Sequence, residues 1–225
     1  MAVTIEATAA TDLRQTSELH RRYLSAGIFP RMGLRFLRRY HETFVASPHG
    51  VALVARHDGE VVGFLLGTVD NAAHYRWVVN KRGMALARSG ATALLLRSHV
   101  AWSFATTRLG RYLRGLRRYL AKSDRMHEPR SAARGQGGSH QPAILTHIAT
   151  ADATRQRGVG RQLVEAFVAR ARACGAKEAR LITASDGPAV AFYAGLGWES
   201  IADRRARDGS QVREYRMALA EAETT

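Results

Sequence analysis

The stretch from Ile144 to Cys174 constrains the fold of this chain more than any other. Ile144–Thr150 is an apolar run of strand type. Arg155-Gln156-Arg157-Gly158-Val159-Gly160 is a basic loop with two glycines, and Arg161–Cys174 carries Leu163, Val164, Phe167 and Val168 at helical spacing before Gly175 stops it. A strand that feeds a helix through so short a loop predicts an α/β chain. Gly158 and Gly160 remove side chains where a backbone must approach a ligand. The loop opens onto a helix N-terminus, whose unpaired N–H groups and positive dipole end favour phosphate, and Arg155, Arg157 and Arg161 add charge there. The loop therefore reads as a pyrophosphate cradle, with a purely structural turn as the alternative. It is not a P-loop, because no Gly-Lys-Ser/Thr follows, and the G-x-G-x-x-G dinucleotide spacing is absent.

The rest of the chain supplies the other elements. Val3–Thr8 alternates as a strand does, Asp12 is placed to cap a helix bearing Leu13, Leu19, Tyr23 and Leu24, and a second helix is expected over Leu34–Ala46, before Ser47-Pro48. Val51–Ala55 and Val61–Val69 flank Asp58-Gly59, a hairpin signal. Asn71 to about Lys122 reads as helices, and the Gly/Ser-rich Ser123–Gln141 as a mobile linker. After the central helix come a strand (Ala179–Thr183), a short helix (Pro188–Ala194), a strand (Trp198–Ala202), a turn at Arg207-Asp208-Gly209-Ser210 and a last strand (Val212–Leu219).

Charge adds a separate constraint. The 225 residues carry 34 Lys/Arg against 19 acids, a net charge of +15. Residues 70–142 hold 14 of the basic residues and only Asp70, Asp124 and Glu128 as acids, so most of the surplus lies in this insertion. A solvated face is the plain reading. The functional ones place a polyanion on the stripe Arg108, Arg111, Arg114, Arg117, Arg118 and Lys122: tRNA, an anionic membrane surface or an acidic carrier protein. Cys174 is the single cysteine, which excludes an intramolecular disulfide and reads as a small residue filling a helix face. The first residues lack signal-peptide character, and no stretch is apolar enough to span a bilayer. The expected location is cytoplasmic, with the inner membrane surface as a variant.

Ile148-Ala149-Thr150 followed by Arg155–Leu163 closely resembles the acyl-CoA-binding motif of the GNAT superfamily. Ala189-Val190-Ala191-Phe192-Tyr193-Ala194-Gly195-Leu196-Gly197-Trp198 resembles its second signature. The resemblance covers residues 1–70 and 143–220. It implies a single α/β domain over 1–225 with the GNAT fold, a mixed central β-sheet flanked by helices, with the basic helical insertion (71–142) between the third and fourth strands. It also implies an N-acyltransferase that passes an acyl group, acetyl above all, from a coenzyme A thioester to a small-molecule or lipid-linked amine by direct attack. No metal is implied, and many relatives pair as homodimers through their last strands. The alternatives are a GNAT-fold transferase that takes its donor from aminoacyl-tRNA, and a non-catalytic module that grips RNA or membrane.

The same resemblance distributes roles. Ile148, Ala149, Thr150, Arg155, Gln156, Arg157, Gly158, Val159, Gly160, Arg161, Ala189 and Phe192 fall at cofactor-binding positions. Asp186 stands where relatives have Asn, and an ionised carboxylate there accepts but does not donate. Tyr193 matches the acid that protonates the departing thiolate. The oxyanion donor is expected in the backbone near Ile148–Thr150, where the family strand bulges. No carboxylate lies on that strand. His147 is the nearest candidate base, with Glu42 or solvent as substitutes and a structural role as the alternative. The acceptor lies in this family against the link between the first two helices. Here Ile28, Phe29 and Met32 make either an apolar wall or a packed corner.

Overall fold

The computed structural model describes residues 2–24, 29–95, 141–206 and 209–219. Seven strands form one sheet: β1 (Thr4–Ala7), β2 (Gly50–His57), β3 (Glu60–Thr68), β4 (Ala143–Thr150), β5 (Glu178–Ala184), β6 (Glu199–Arg205) and β7 (Gln211–Ala218). Their spatial order is β1-β2-β3-β4-β5-β7-β6. All neighbours are antiparallel except β4 and β5, so the sheet is mixed, as expected. Among the described residues five α-helices flank it: α1 (Leu13–Tyr23), α2 (Leu34–Ala46), α3 (Asn71–Leu95), α4 (Val159–Ala173) and α5 (Ala189–Ala194).

Local chemistry explains the boundaries. Asp58 and Gly59 both take positive φ, 49° and 81°, the geometry that closes a two-residue β2–β3 hairpin. Gly175, at φ 78°, ends α4, and the Ala176 N–H reaches back to the Ala171 carbonyl at 3.0 Å. Asp12 departs from its expected role. It stands at the N-cap position of α1 but makes no side-chain cap bond: its carboxylate accepts the Ala9 N–H at 2.9 Å and Arg56 at 2.9 Å, which ties the chain before α1 to β2. Cys174 also departs: it is exposed at the end of α4 and fills no packed face.

The sheet is packed on both faces. On one, Leu163 and Phe167 of α4 lie with Leu65, Leu145, Leu181, Tyr193, Trp198 and Tyr215. On the other, Phe36, Tyr40 and Phe44 of α2 cover Val54, Phe64 and Leu66. α2 packs between α1 and α3, so the first part of the insertion joins a helical layer. Residues 96–140, with the arginine stripe Arg108–Lys122 and nearly all of the expected linker, lie outside the described residues.

Two irregularities in β4 shape the site. Leu66 pairs with His147 but Gly67 pairs with Leu145, so Thr146 is an extra residue and β4 bulges there, ahead of the Ile148–Thr150 stretch where a bulge was expected. Beyond the bulge β4 leaves β5: the two pair only from Ala143↔Ala179 to Leu145↔Leu181, while β5 continues along β7 as far as Ala184↔Val212. The sheet therefore opens as a V between its fourth and fifth strands.

Candidate active site

The glycine-bearing loop follows the end of β4, beside the opening. Gln156 and Gly158 both take left-handed φ, 59° and 79°. Two such residues close together turn successive backbone N–H groups toward one side, the concavity that suits an anion. The first backbone bond of α4 runs from the Gln162 N–H to the Gly158 carbonyl at 3.0 Å, so the helix presents its N-terminal donors to the loop. Val159 is buried and anchors the helix start in the core. At Gly160 an added Cβ would lie 3.3 Å from Cζ of Phe192, so the bare backbone there is what lets α4 and α5 approach.

The arginines are less available than their number suggests. Arg155 pairs with Asp152 at 3.0 Å and lies over the Tyr23 ring, 5.2 Å from its centroid. Arg161 faces Glu165 at 3.8 Å and the Gly195 carbonyl at 3.4 Å. Arg157 is exposed on the loop. The Asp152 carboxylate also accepts the Tyr23 hydroxyl at 3.2 Å, which fastens the end of α1 to the start of the loop. Sequence places Tyr23 only on the stripe of the first helix and gives Asp152 no role, because a contact 129 positions apart leaves no local signal.

The other expected cofactor residues surround the opening. Ile148 and Thr150 are half-buried on β4, and Ala149 is buried against Phe64. Ala189 and Phe192 of α5 pack on the first core cluster, while Asp186 is exposed in the turn before α5. Tyr193 is buried, its ring against Phe192, Trp198 and Tyr215. Burial raises its pKa, so the phenol stays protonated through neutral pH.

Across β4 lies a cluster that the sequence did not announce. His147 points to the α1–α2 side, and its Nε2 lies 3.1 Å from the Tyr40 hydroxyl. Its ring centroid is 4.6 Å from that of His20. His20 Nδ1 lies 2.8 Å from His41 Nε2, and His41 Nδ1 lies 3.0 Å from Thr16 Oγ1. His20 and His41 are 1% and 0% exposed, so this chain runs from the site into the core and stops at Thr16. Burial lowers all three imidazoles, His20 to about 4 and His147 to about 3, with mutual repulsion as the second cause for His147 and His41. Each is neutral at pH 7. Among the described residues no group of His, Cys, Asp and Glu is arranged to hold a metal.

The acceptor-side residues pack as a corner. Phe29 lies against Phe36 and Tyr40 with centroids 5.6 and 4.8 Å apart, and Met32 is buried in the same cluster. Ile28 lies outside the described residues. Glu42, the substitute base, is paired with Arg82 of α3 at 3.3 Å on the outward side of α2.

Two family models, each described as an acetyltransferase (GNAT) domain, match residues 2–119 and 121–219. The chain belongs to the GNAT family. Membership makes it an acyltransferase, and the splayed β4–β5 pair is where the fold opens. Solved structures share the GNAT fold at low identity. Ard1 from Thermoplasma volcanium is 16% identical, with 98% of this chain and 100% of that one covered at a TM-score of 0.55. The ribosomal-protein-S18-alanine N-acetyltransferase from Escherichia coli is 14% identical, with 100% and 98% covered at 0.53. An acetyltransferase of the GNAT family from Streptococcus pneumoniae is 13% identical, with 97% and 100% covered at 0.55. At these identities the likeness concerns the fold alone. No curated protein matches the chain.

Proposed function

We propose that this GNAT enzyme transfers an acetyl group from acetyl-CoA to an amine by direct attack on the thioester carbonyl. The observation that carries the reading is the coincidence of the V between β4 and β5 with a left-handed, donor-lined loop at a helix N-terminus. The loop and the first turn of α4 hold the pyrophosphate through backbone N–H groups of Gly158, Val159 and Gly160, and Arg157 adds charge. The thioester enters the V, where β4 has left β5, and the alternate backbone N–H groups beyond Thr146 that point away from β3 serve the developing oxyanion.

On this reading Tyr193 protonates the departing thiolate. A phenol kept neutral by burial is a donor at every physiological pH. The amine enters on the α1–α2 side, where neutral His147 accepts a hydrogen bond from the attacking nitrogen or from a water beside it; the proton that the nitrogen loses passes to that water, and Tyr193 regains from solvent the proton it gives to the thiolate. An imidazole held near pKa 3 stores no proton at neutral pH, so the amine must arrive as its free base.

The test is acyl transfer by purified, nucleic-acid-free protein with acetyl-CoA and a panel of primary amines, followed by thiol release and by mass of the product. Thiol release that depends on an amine and yields the acetylated amine supports the proposal. Absence of both transfer and acetyl-CoA binding overturns it.

A further inference from the structure

The helical layer over the α1–α2 side carries positive charge that the described residues leave uncompensated. α1, α2 and α3 lie side by side. Their outward stripes are Arg14, Glu18 and Arg21 on α1; Arg35, Arg38, Arg39 and Glu42 on α2; and Tyr75, Val79 and Arg82 on α3. Both acids are engaged, Glu18 by Arg14 at 3.1 Å and Glu42 by Arg82 at 3.3 Å. The second pair crosses from α2 to α3 and aligns the α3 stripe with that of α2. Arg21, Arg35, Arg38 and Arg39 are exposed and make no ion pair among the described residues. The far end of the sheet is arranged differently. There Arg180 meets Glu178 at 2.7 Å, Arg204 meets Glu214 at 2.7 Å, Arg213 meets Asp203 at 2.7 Å and Arg216 meets Glu199 at 2.9 Å.

A second feature lies on the same face. Tyr75 and Val79 are 48% and 53% exposed. Large apolar side chains left in water beside arginines match an interfacial surface, where cations meet lipid phosphates and apolar groups enter the headgroup–acyl boundary. Tyr75 is the one ring that this stripe offers among the described residues, beside aliphatic Val79, whereas single-stranded nucleic acid is gripped by successive stacking rings, which favours lipid over RNA.

We propose that the α1–α2–α3 face docks on an anionic membrane surface, with Arg21, Arg35, Arg38 and Arg39 on lipid phosphates and Tyr75 and Val79 at the boundary beneath them. The contact is peripheral, since no helix among the described residues is long and apolar enough to cross a membrane. It presents the α1–α2 side to the bilayer, the side on which the proposed mechanism receives its amine, but it stands apart from the acetyl-CoA reading.

The experiment is flotation of the full chain with vesicles of phosphatidylcholine alone, or with about one third phosphatidylglycerol, beside the triple variant R35Q/R38Q/R39Q and the variant V79D. Each arginine near an anionic surface contributes about fivefold in affinity, so the triple variant should lose at least about tenfold. The wild-type chain should float with anionic vesicles only, rising salt should release it, and V79D should weaken binding without altering the thermal midpoint. Failure of the wild-type chain to float overturns the proposal, as does undiminished flotation of the triple variant. Loss of single-stranded RNA binding in that variant with vesicle binding intact reassigns the face to nucleic acid. Calorimetric acetyl-CoA binding is expected to be equal in all three proteins, which separates failure here from failure of the acyl-transfer reading.

Discussion

His147 is enclosed by groups that hold it neutral. Tyr40 from α2 bonds it, His20 from α1 lies against it, and no carboxylate pairs with it among the described residues. Neither of the two side chains that the proposed mechanism uses titrates between about pH 5 and 9, because His147 lies far below that window and Tyr193 above it. The logarithm of kcat/KM should therefore rise with unit slope until the acceptor amine's own pKa, and the inflection should move when the amine is changed. A fixed inflection near 6.5, shared by amines of different basicity, would restore His147 as an ordinary general base. At the other side of the reaction, Tyr193→Phe keeps the ring contacts with Trp198 and Tyr215 and removes only the proton. It should lower kcat by about a hundredfold or more with acetyl-CoA affinity retained. Unchanged kcat would reduce Tyr193 to packing.

The elements show what a single sequence discloses. Asp58-Gly59, the limits of α2 at Leu34 and Ala46, and the stop at Gly175 are set by neighbouring residues, so local rules find them. The cluster of His20, His41, Tyr40 and His147 draws on three elements. Its members lie where an amphipathic pattern reads them as ordinary polar positions, and α1 in fact buries Thr16, Ser17 and His20. The splay of β4 from β5 is likewise a property of the assembled sheet; only the motif after β4 hinted at it. Gly67 illustrates the same limit. A Cβ there would come within 2.6 Å of the Phe167 ring and 2.8 Å of the Ile144 carbonyl, where α4 crosses β3 beside the bulge. Gly67→Ala must push the helix off the strand, and denaturant unfolding should show a loss of about 1–3 kcal/mol. A change within about 0.5 kcal/mol, the range of ordinary surface substitutions, would show that the helix crossing is looser than described.

For the whole molecule, the buried imidazoles predict acid lability. His20, His74 and His147 fall to about 4, 4 and 3, and His41 is lowered as well, while in the unfolded chain each returns to about 6.5. The folded pKa is the lower one, so the unfolded state binds more protons as pH falls below about 6.5. Stability is complete above that value and lost on acidification, by up to about 1.4 kcal/mol per pH unit for each histidine. The denaturation midpoint should drop between pH 7 and pH 5. His74→Phe, which retains the stack on Phe44, should shed one proton's share of that slope. A midpoint independent of pH would refute the buried neutral cluster.

The central claim is that the loop after β4 holds an acyl-CoA. Calorimetric titration of the nucleic-acid-free protein with acetyl-CoA, beside Gly160→Phe, tests it most directly, because a side chain at residue 160 meets Phe192 and fills the approach to the α4 N-terminus. The wild-type protein should bind with micromolar affinity, and the variant should lose at least about 1.4 kcal/mol, a tenfold weakening, at an unchanged fold. No binding by the wild-type protein, or equal binding by both, would contradict it.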